Sequence, residues 1–379
     1  MISLRHAPSF AALATLLCLA ACVAPHPPAP APPQVAVPWD AVEGWSQQDP
    51  TPALAAFRQS CQALEDEPRW QAACAAADLE PADAADARLF FEAYFTPHRM
   101  QQPDGSAEGL ITGYYVPDLK GSRTCTDRYR YPLYGVPDDL VRINLSSVYP
   151  ELGDYRLRGR IEGHRVIPYY SRAEIDNGDH LAGDELFWVE DPVELFFLQI
   201  QGSGRIDLEN GKRVMVQYAD QNGYPYRSIG KLLLQRGEMT PDQMSLQNIK
   251  AWARNHPAQV SSLLEENPSY VFFREMPAGV DCPEGALGVP LTAGRSLAVD
   301  PHAIPLGAPV FLNTTWPSTE RPLQRLMVAQ DTGGAIKGPV RADFYWGTGH
   351  EAGEYAGKMK QSGRLWVLLP KAEQNPQGS

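Results

Sequence analysis

Arg325-Leu-Met-Val-Ala-Gln-Asp331-Thr-Gly-Gly-Ala-Ile-Lys337-Gly-Pro-Val-Arg-Ala-Asp343-Phe-Tyr-Trp-Gly347 is the stretch on which the reading of this chain turns. The apolar run Leu326 to Ala329 predicts a buried strand that delivers Asp331 into a loop. Gly333, Gly334 and Gly338 leave that loop without side-chain bulk, so its backbone can approach a ligand closely. Further on, Asp343 leads into Phe344-Tyr345-Trp346-Gly347, an aromatic segment expected to form a short strand beside a sugar-binding cleft. Two carboxylates, a lysine and an aromatic floor are the materials of glycoside cleavage. The same residues also admit a plainer reading, with Asp331 capping a turn, Asp343 solvated and Lys337 on the surface.

Upstream, Leu110-Ile-Thr112-Gly-Tyr114-Tyr115-Val reads as a strand ending at Pro117. The region that follows has short strand runs, Tyr155 to Val166, Leu186 to Val189 and Leu195 to Ile200, separated by Gly, Asp, Asn and Pro turns. Ser171-Arg-Ala-Glu174 is a capping-box pattern. Helical periodicity returns over Ser228 to Gln235, Ser245 to Arg254 and Pro257 to Glu266, and strands resume at Tyr270. Gln199-Ile-Gln201-Gly-Ser203-Gly204 alternates polar and apolar residues, which either turns Gln201 and Ser203 toward a groove or is a plain strand and turn. In Tyr218-Ala-Asp-Gln-Asn222-Gly223-Tyr224-Pro-Tyr226-Arg227, three tyrosines offer rings suited to pyranose faces, though packing explains two of them equally well. Asp300 precedes Pro301 and reads first as a turn device.

The chain has 379 residues, 44% hydrophobic and 21% charged, enough for about two domains with a proper core. Its 35 prolines and 31 glycines point to a turn-rich, largely β body. A formal charge of −12 without a basic stripe excludes a nucleic-acid partner. Residues 1–21 carry Arg5, an apolar run and Leu19-Ala20-Ala21 before Cys22, the pattern of a lipoprotein signal whose cleavage leaves Cys22 acylated. An ordinary secretory signal with a chance cysteine is the alternative. Residues 22–42, rich in proline, read as an extended tether that buries little. Thr51-Pro52 opens a helix carrying Leu54, Phe57, Cys61 and Leu64, and residues 70–79 and 82–95 are two further helical candidates. Cys61 and Cys74 sit on neighbouring helices in an oxidising compartment, so a disulfide is expected between them. Cys125 and Cys282 either pair or stay single. Neither they nor the eight histidines show ligand spacing, so neither metal nor cofactor is expected.

The opening stretch resembles the three-aspartate domain of the membrane-bound lytic murein transglycosylase A family, whose pattern is a strand, Asp-x-Gly-Gly-Ala-Ile-Lys-Gly, a short spacer, Asp, an aromatic pair and Gly. Asp331 and Asp343 match two of the aspartates, and Asp300, in Leu291-Thr-Ala-Gly-Arg-Ser-Leu-Ala-Val-Asp300-Pro-His-Ala-Ile-Pro-Leu-Gly307, matches the third. Further matches are Thr112-Gly-Tyr-Tyr115, Gln199 to Gly204, Tyr218 to Gly230 and Asn267-Pro-Ser-Tyr-Val-Phe-Phe273. The resemblance implies a mainly β fold with flanking helices: a double-psi β-barrel from residues 43–117 and 278–372, an inserted second β-barrel from 118–277, and a tail at 373–379. It implies Asp343 as a single catalytic acid and base, Asp331 as its helper, and a substrate groove drawn from Thr112, Tyr114, Gln201, Ser203, Gly204, Tyr226, Arg227, Lys337 and Asp300.

The implied reaction cleaves the β-1,4 bond after N-acetylmuramic acid in peptidoglycan glycan strands and closes that sugar's C6 hydroxyl onto C1. Val23 after the lipidated cysteine favours the periplasmic face of the outer membrane, where wall-synthesis proteins are candidate partners. A two-carboxylate glycoside hydrolase and a non-catalytic wall-binding lipoprotein are the competing expectations.

Overall fold

The computed structural model describes residues 33–371 apart from Leu79, Glu80, Ala82 and Asp154. The expected leader 1–21, the expected lipidation site Cys22, the proline-rich residues before 33 and the tail 373–379 lie outside the described residues. The expected tether is corrected from Gln34 onward. Gln34–Ala36 pairs antiparallel with Phe95–Met100, and Val42 and Trp45 are buried. The reason is chemical, since Gln-Val-Ala-Val supplies backbone donors that the preceding prolines lack.

Six strands close into a ring in the order Gly109–Val116, Arg341–Thr348, Ser296–Val299, Pro322–Thr332, Pro309–Thr315 and Lys360–Pro370, the last pairing back onto the first. Closure removes edges that would otherwise expose unpaired backbone. Two of these pairings are parallel, Gly109–Val116 with Arg341–Thr348 and Ser296–Val299 with Pro322–Thr332. The helix Thr51–Ala63 buries Leu54 and Phe57 against this barrel. Thr51, expected as the cap, is instead its first helical residue, with its N–H taken by Asp49 Oδ1 at 3.0 Å. Cys61 and Cys74 form a disulfide to the next helix, Gln71–Ala77, while Cys125 and Cys282 are free and exposed.

Between the first barrel strand and the rest lies a second sheet, ordered Val271–Glu275, Arg213–Gln221, Ser203–Leu208, Asp118–Ser122, Glu185–Val189 and Tyr131–Tyr134. It has its own core, including Leu119, Phe187, Leu198, Ile206 and Val216. Its edge strands are not hydrogen-bonded to one another but come into contact. The run Tyr155 to Val166 contributes to a hairpin, Arg158–Glu162 with Arg165–Pro168, turned at Gly163. One strand expectation fails. Leu195 to Ile200 belongs to the helix Pro192–Gln201, capped by Asp191 Oδ1 on the amides of Val193 and Glu194, at 2.8 and 3.2 Å. Asp-Pro-x-Glu was the overlooked start signal, and Gly202, at φ 79°, is the stop.

Candidate active site

One row of residues runs across four barrel strands. Thr112 pairs with Asp343, Asp343 with Ala298, and Ala298 with Asp331. Residues in one register row share a face, so the two carboxylates stand on the same side with only the Ala298 methyl between them. Two strand spacings put their Cα atoms about 10 Å apart. The flanking Ala342 and Phe344 point the other way, into the barrel core. Asp343 therefore faces outward, toward the inserted sheet. Where the two sheets meet, Val116, Tyr345, Met215, Met276 and Leu291 form a buried cluster.

Asp331 reaches this row through a bulge. Leu297 pairs with Ala329, yet Ala298 pairs with Asp331, so Gln330 is the extra residue. A bulge re-aims the side chains after it. Gln330 is turned into the core, where its Nε2 donates to Ala56 O and Ser60 Oγ at 3.0 Å each and its Oε1 accepts from Ser296 Oγ at 2.5 Å. Asp331 Oδ1 accepts the amides of Thr332 at 2.8 Å and Ala286 at 3.0 Å. The second of these needs Gly285, because a Cβ there would sit 2.2 Å from the Gln330 carbonyl oxygen.

Burial pushes the Asp343 carboxyl up to about 6. The Thr112 hydrogen bond and the charge of Arg341 pull it down, and the charge of Asp331 adds a smaller upward push. Asp331 is also raised, by burial, against the opposing effect of its two amide donors and of the Tyr114 hydroxyl. The Tyr114 hydroxyl is held in its protonated form by burial and by both carboxylates. It makes no hydrogen bond of ordinary geometry, yet it lies close enough to Asp331 to favour that group's charged form.

A cleft of about 500 Å³ opens between barrel and insert, and Tyr114, Gln201, Ser203, Tyr226 and Asp331 all line it. Gln201 Oε1 also accepts the Tyr115 amide at 3.0 Å, tying the end of the Pro192–Gln201 helix to the Thr112 strand. Thr112 and Asp343, both expected at the site, are not among the lining residues; they lie together, the Thr112 hydroxyl donating to Asp343 Oδ1 at 2.7 Å.

Besides Thr112, four expected groove residues are placed elsewhere. Gly204 is a packing glycine, since a Cβ there would meet Leu198 Cδ1 at 2.3 Å. Arg227 lies outside the lining, its amide donating to Asn267 Oδ1 and its guanidinium 3.6 Å from Glu266. Lys337 is exposed and contributes charge near Asp300. Asp300 accepts the amides of Gly338 at 2.7 Å and His302 at 3.2 Å, staking down the far end of the glycine loop. Burial opposes its ionisation, but those donors outweigh it and its pKa is lowered.

The aromatic floor is also corrected. Phe344 is in the barrel core, and Trp346 stacks on Tyr355 at 4.8 Å. Only Tyr345 shares the face of Asp343, 5.1 Å from the Tyr114 ring, because strand side chains alternate.

The sequence reading missed Arg172 and Arg156 in the cleft lining. Arg172 is only 4% exposed, held by Asn267 O, Ser269 O and Gln199 Oε1 between the rings of Phe196 and Tyr270. Its position after the capping residue Ser171 gave no hint of this. Arg341 was missed as well, although a cation two residues before a strand carboxylate necessarily shares its face.

A closed barrel, an inserted β unit, and an acid of near-neutral pKa in one row with the cleft-lining Asp331 define a polysaccharide-cleaving enzyme. Two family models match, the MltA specific insert domain over residues 110–274 and the 3D domain over residues 295–369. The membrane-bound lytic murein transglycosylase A of Escherichia coli K12 is 36% identical over 277 residues, 71% of this chain and 68% of the relative. MltA from Neisseria gonorrhoeae superposes with a TM-score of 0.78 at 41% identity, covering 91% of this chain and 97% of that one. E. coli MltA with bound chitohexaose superposes with a TM-score of 0.66 at 29% identity, over 91% and 93% of the two chains. The chain belongs to the membrane-bound lytic murein transglycosylase A family.

Proposed function

We propose that Asp343 alone carries the proton in a lytic transglycosylase reaction on peptidoglycan, with Asp331 as its helper. The observation that carries this reading is the Asp343 carboxyl itself, raised to about 6 and set in one row with the cleft-lining Asp331 on the side of the barrel opposite its core. An acid poised near neutral pH serves both halves of the reaction. Protonated Asp343 gives its proton to the glycosidic oxygen as the bond from C1 of N-acetylmuramic acid breaks. The carboxylate then takes the proton of that sugar's C6 hydroxyl as O6 closes onto C1, leaving a 1,6-anhydro end. Neither water nor an enzyme nucleophile enters, and the attacking hydroxyl acts at the high effective concentration of an intramolecular group. Asp331, fixed by two amides, favours the positive charge that develops at C1. Tyr114, Gln201, Ser203 and Tyr226 line the groove along which the glycan lies, consistent with the chitohexaose bound by the E. coli relative.

Asp343→Asn is expected to lower activity at least ~100-fold while murein binding persists, and Asp331→Asn is expected to be milder. Mass spectrometry of products from purified murein decides the reaction, because hydrolysis leaves a reducing end and this reaction leaves none. A glycosyl azide formed by Asp331→Asn in added azide would instead establish a two-carboxylate hydrolase.

The same proposal assigns residues 43–117 and 278–372 to the catalytic unit and 118–277 to an insert that forms the opposite cleft wall. It also places the protein on the periplasmic face of the outer membrane through acylated Cys22. The relatives' names say membrane-bound, and among the described residues no helix is long and apolar enough to cross a membrane. Cys22→Ala is expected to release a folded, active protein from the membrane fraction. Retention of that variant in detergent-extractable membranes would refute the anchor.

A further inference from the structure

Arg341 stands two residues before Asp343 on one strand, so both side chains leave the same face. Its Nη2 donates to Thr112 Oγ1 at 2.9 Å, and Thr112 Oγ1 donates to Asp343 Oδ1 at 2.7 Å. Nη1 holds the guanidinium in place on the carbonyls of Ala342, at 2.6 Å, and Leu110, at 3.3 Å. A guanidinium only donates, so the Thr112 oxygen accepts from it. The threonine hydrogen is then left for its acceptor, Asp343 Oδ1. Asp343 Oδ2 has no hydrogen-bond partner among the described residues.

We propose that Arg341 is a positioning residue that works through Thr112: it reserves Oδ1 of Asp343 as an acceptor and confines the transferable proton to Oδ2. The proposal rests on the reading of Asp343 as the acid and base. In the first half-reaction the Oδ2 proton passes to the glycosidic oxygen as the C1–O bond breaks. In the second, the C6 hydroxyl proton returns to the same Oδ2 as the O6–C1 bond forms, so one atom serves both steps and the acid does not reorient between them.

Arg341 is also the cation set against the groups that favour protonation. Facing Asp343 are Asp331 and Tyr114 from neighbouring strands, with the uncharged Ala298 between the acids and Tyr345 on the same strand. Opposite charge at such range favours the carboxylate. Arg341 thereby fixes how far the working range extends upward in pH, because the first step needs the protonated acid.

The test compares full-length wild type with Arg341→Gln, Arg341→Lys and Thr112→Val. It uses the pH profile of kcat/KM on murein together with direct titration of the ¹³C-labelled Asp343 carboxyl by NMR. Arg341→Gln and Thr112→Val are expected to move both the alkaline limb and the NMR midpoint upward by about 0.5–1 pH unit. Arg341→Lys is expected to stay near wild type in midpoint. The valine variant, close to threonine in shape, carries the test if the glutamine variant folds poorly. Well-folded Gln and Val variants that lose rate with an unmoved midpoint would reduce Arg341 to a structural role and overturn the proposal. The outcome is separable from the fate of the catalytic reading: an Asp343→Asn enzyme of near wild-type rate would sink that reading, whereas the NMR midpoint reports the Arg341 to Asp343 coupling independently of turnover.

Discussion

Asp343 is held as an acid by burial, and the same burial weakens the fold at neutral pH. Its folded pKa, about 6, lies above the ordinary 3.8. Between those values Asp343 binds more proton in the folded chain than in the unfolded one, so its contribution to stability is most favourable below about pH 4 and is lost as pH rises through 6. At pH 7 the cost is roughly 2–3 kcal/mol. Asp343→Asn is therefore expected to melt higher than wild type at pH 7, with the advantage gone by pH 4. Thermal melts across that window check it, and a variant that melts lower at pH 7 would contradict the sign. The two acids were legible because a strand, a glycine loop and a second aspartate keep their order along the chain. The partners that tune them were not. Thr112 and Arg341 meet only through parallel pairing of strands more than 200 residues apart in sequence.

Among the elements, the helix Thr51–Ala63 governs the site without touching it. Ala56 O and Ser60 Oγ hold the Gln330 amide, and Gln330 is the bulge residue that brings Asp331 into register with Asp343. The Cys61–Cys74 disulfide closes a short loop at this helix and stabilises it by about 3 kcal/mol on loop-entropy grounds. Gln330→Leu leaves the Ser60 and Ser296 hydroxyls without their buried partner, which costs roughly 2–4 kcal/mol. It is also expected to lower kcat/KM about tenfold or more by releasing Asp331 from its row. Urea denaturation and kinetics measured together check this, and a variant of lowered stability but unchanged kcat/KM would show that the bulge does not need the glutamine. The sequence located this helix by its 3.6-residue period. The Pro192–Gln201 helix was misread as a strand because a helix buried on several sides lacks that amphipathic signature, and here the Asp191-Pro192 start outweighs the apolar run.

At the scale of the whole molecule the cleft exists only because the inserted sheet packs on the outer face of the barrel. Val116, Met215, Met276, Leu291 and Tyr345 are the apolar contact between them. Leu291→Ala is expected to cost roughly 2–4 kcal/mol and to reduce kcat/KM by about tenfold as the cleft walls loosen. Calorimetry and steady-state kinetics check it, and wild-type kinetics would show that the junction tolerates the cavity. The sequence by itself determined the β-rich class, the Cys61–Cys74 pair and, through the motifs that carry the family resemblance, the interruption of one β unit by another. These rest on local composition, periodicity and short motifs, which survive in one dimension. Only the tertiary structure decided that Asp300, Arg227, Lys337, Gly204 and Thr112 lie off the cleft, that Phe344 and Trp346 turn away from it, that Arg156 and Arg172 line it, and that Arg341 joins the hydrogen bonds around Asp343. A strand side chain's face depends on register, and a one-residue bulge reverses it. At Gln330 that register is set by a helix some 270 residues earlier.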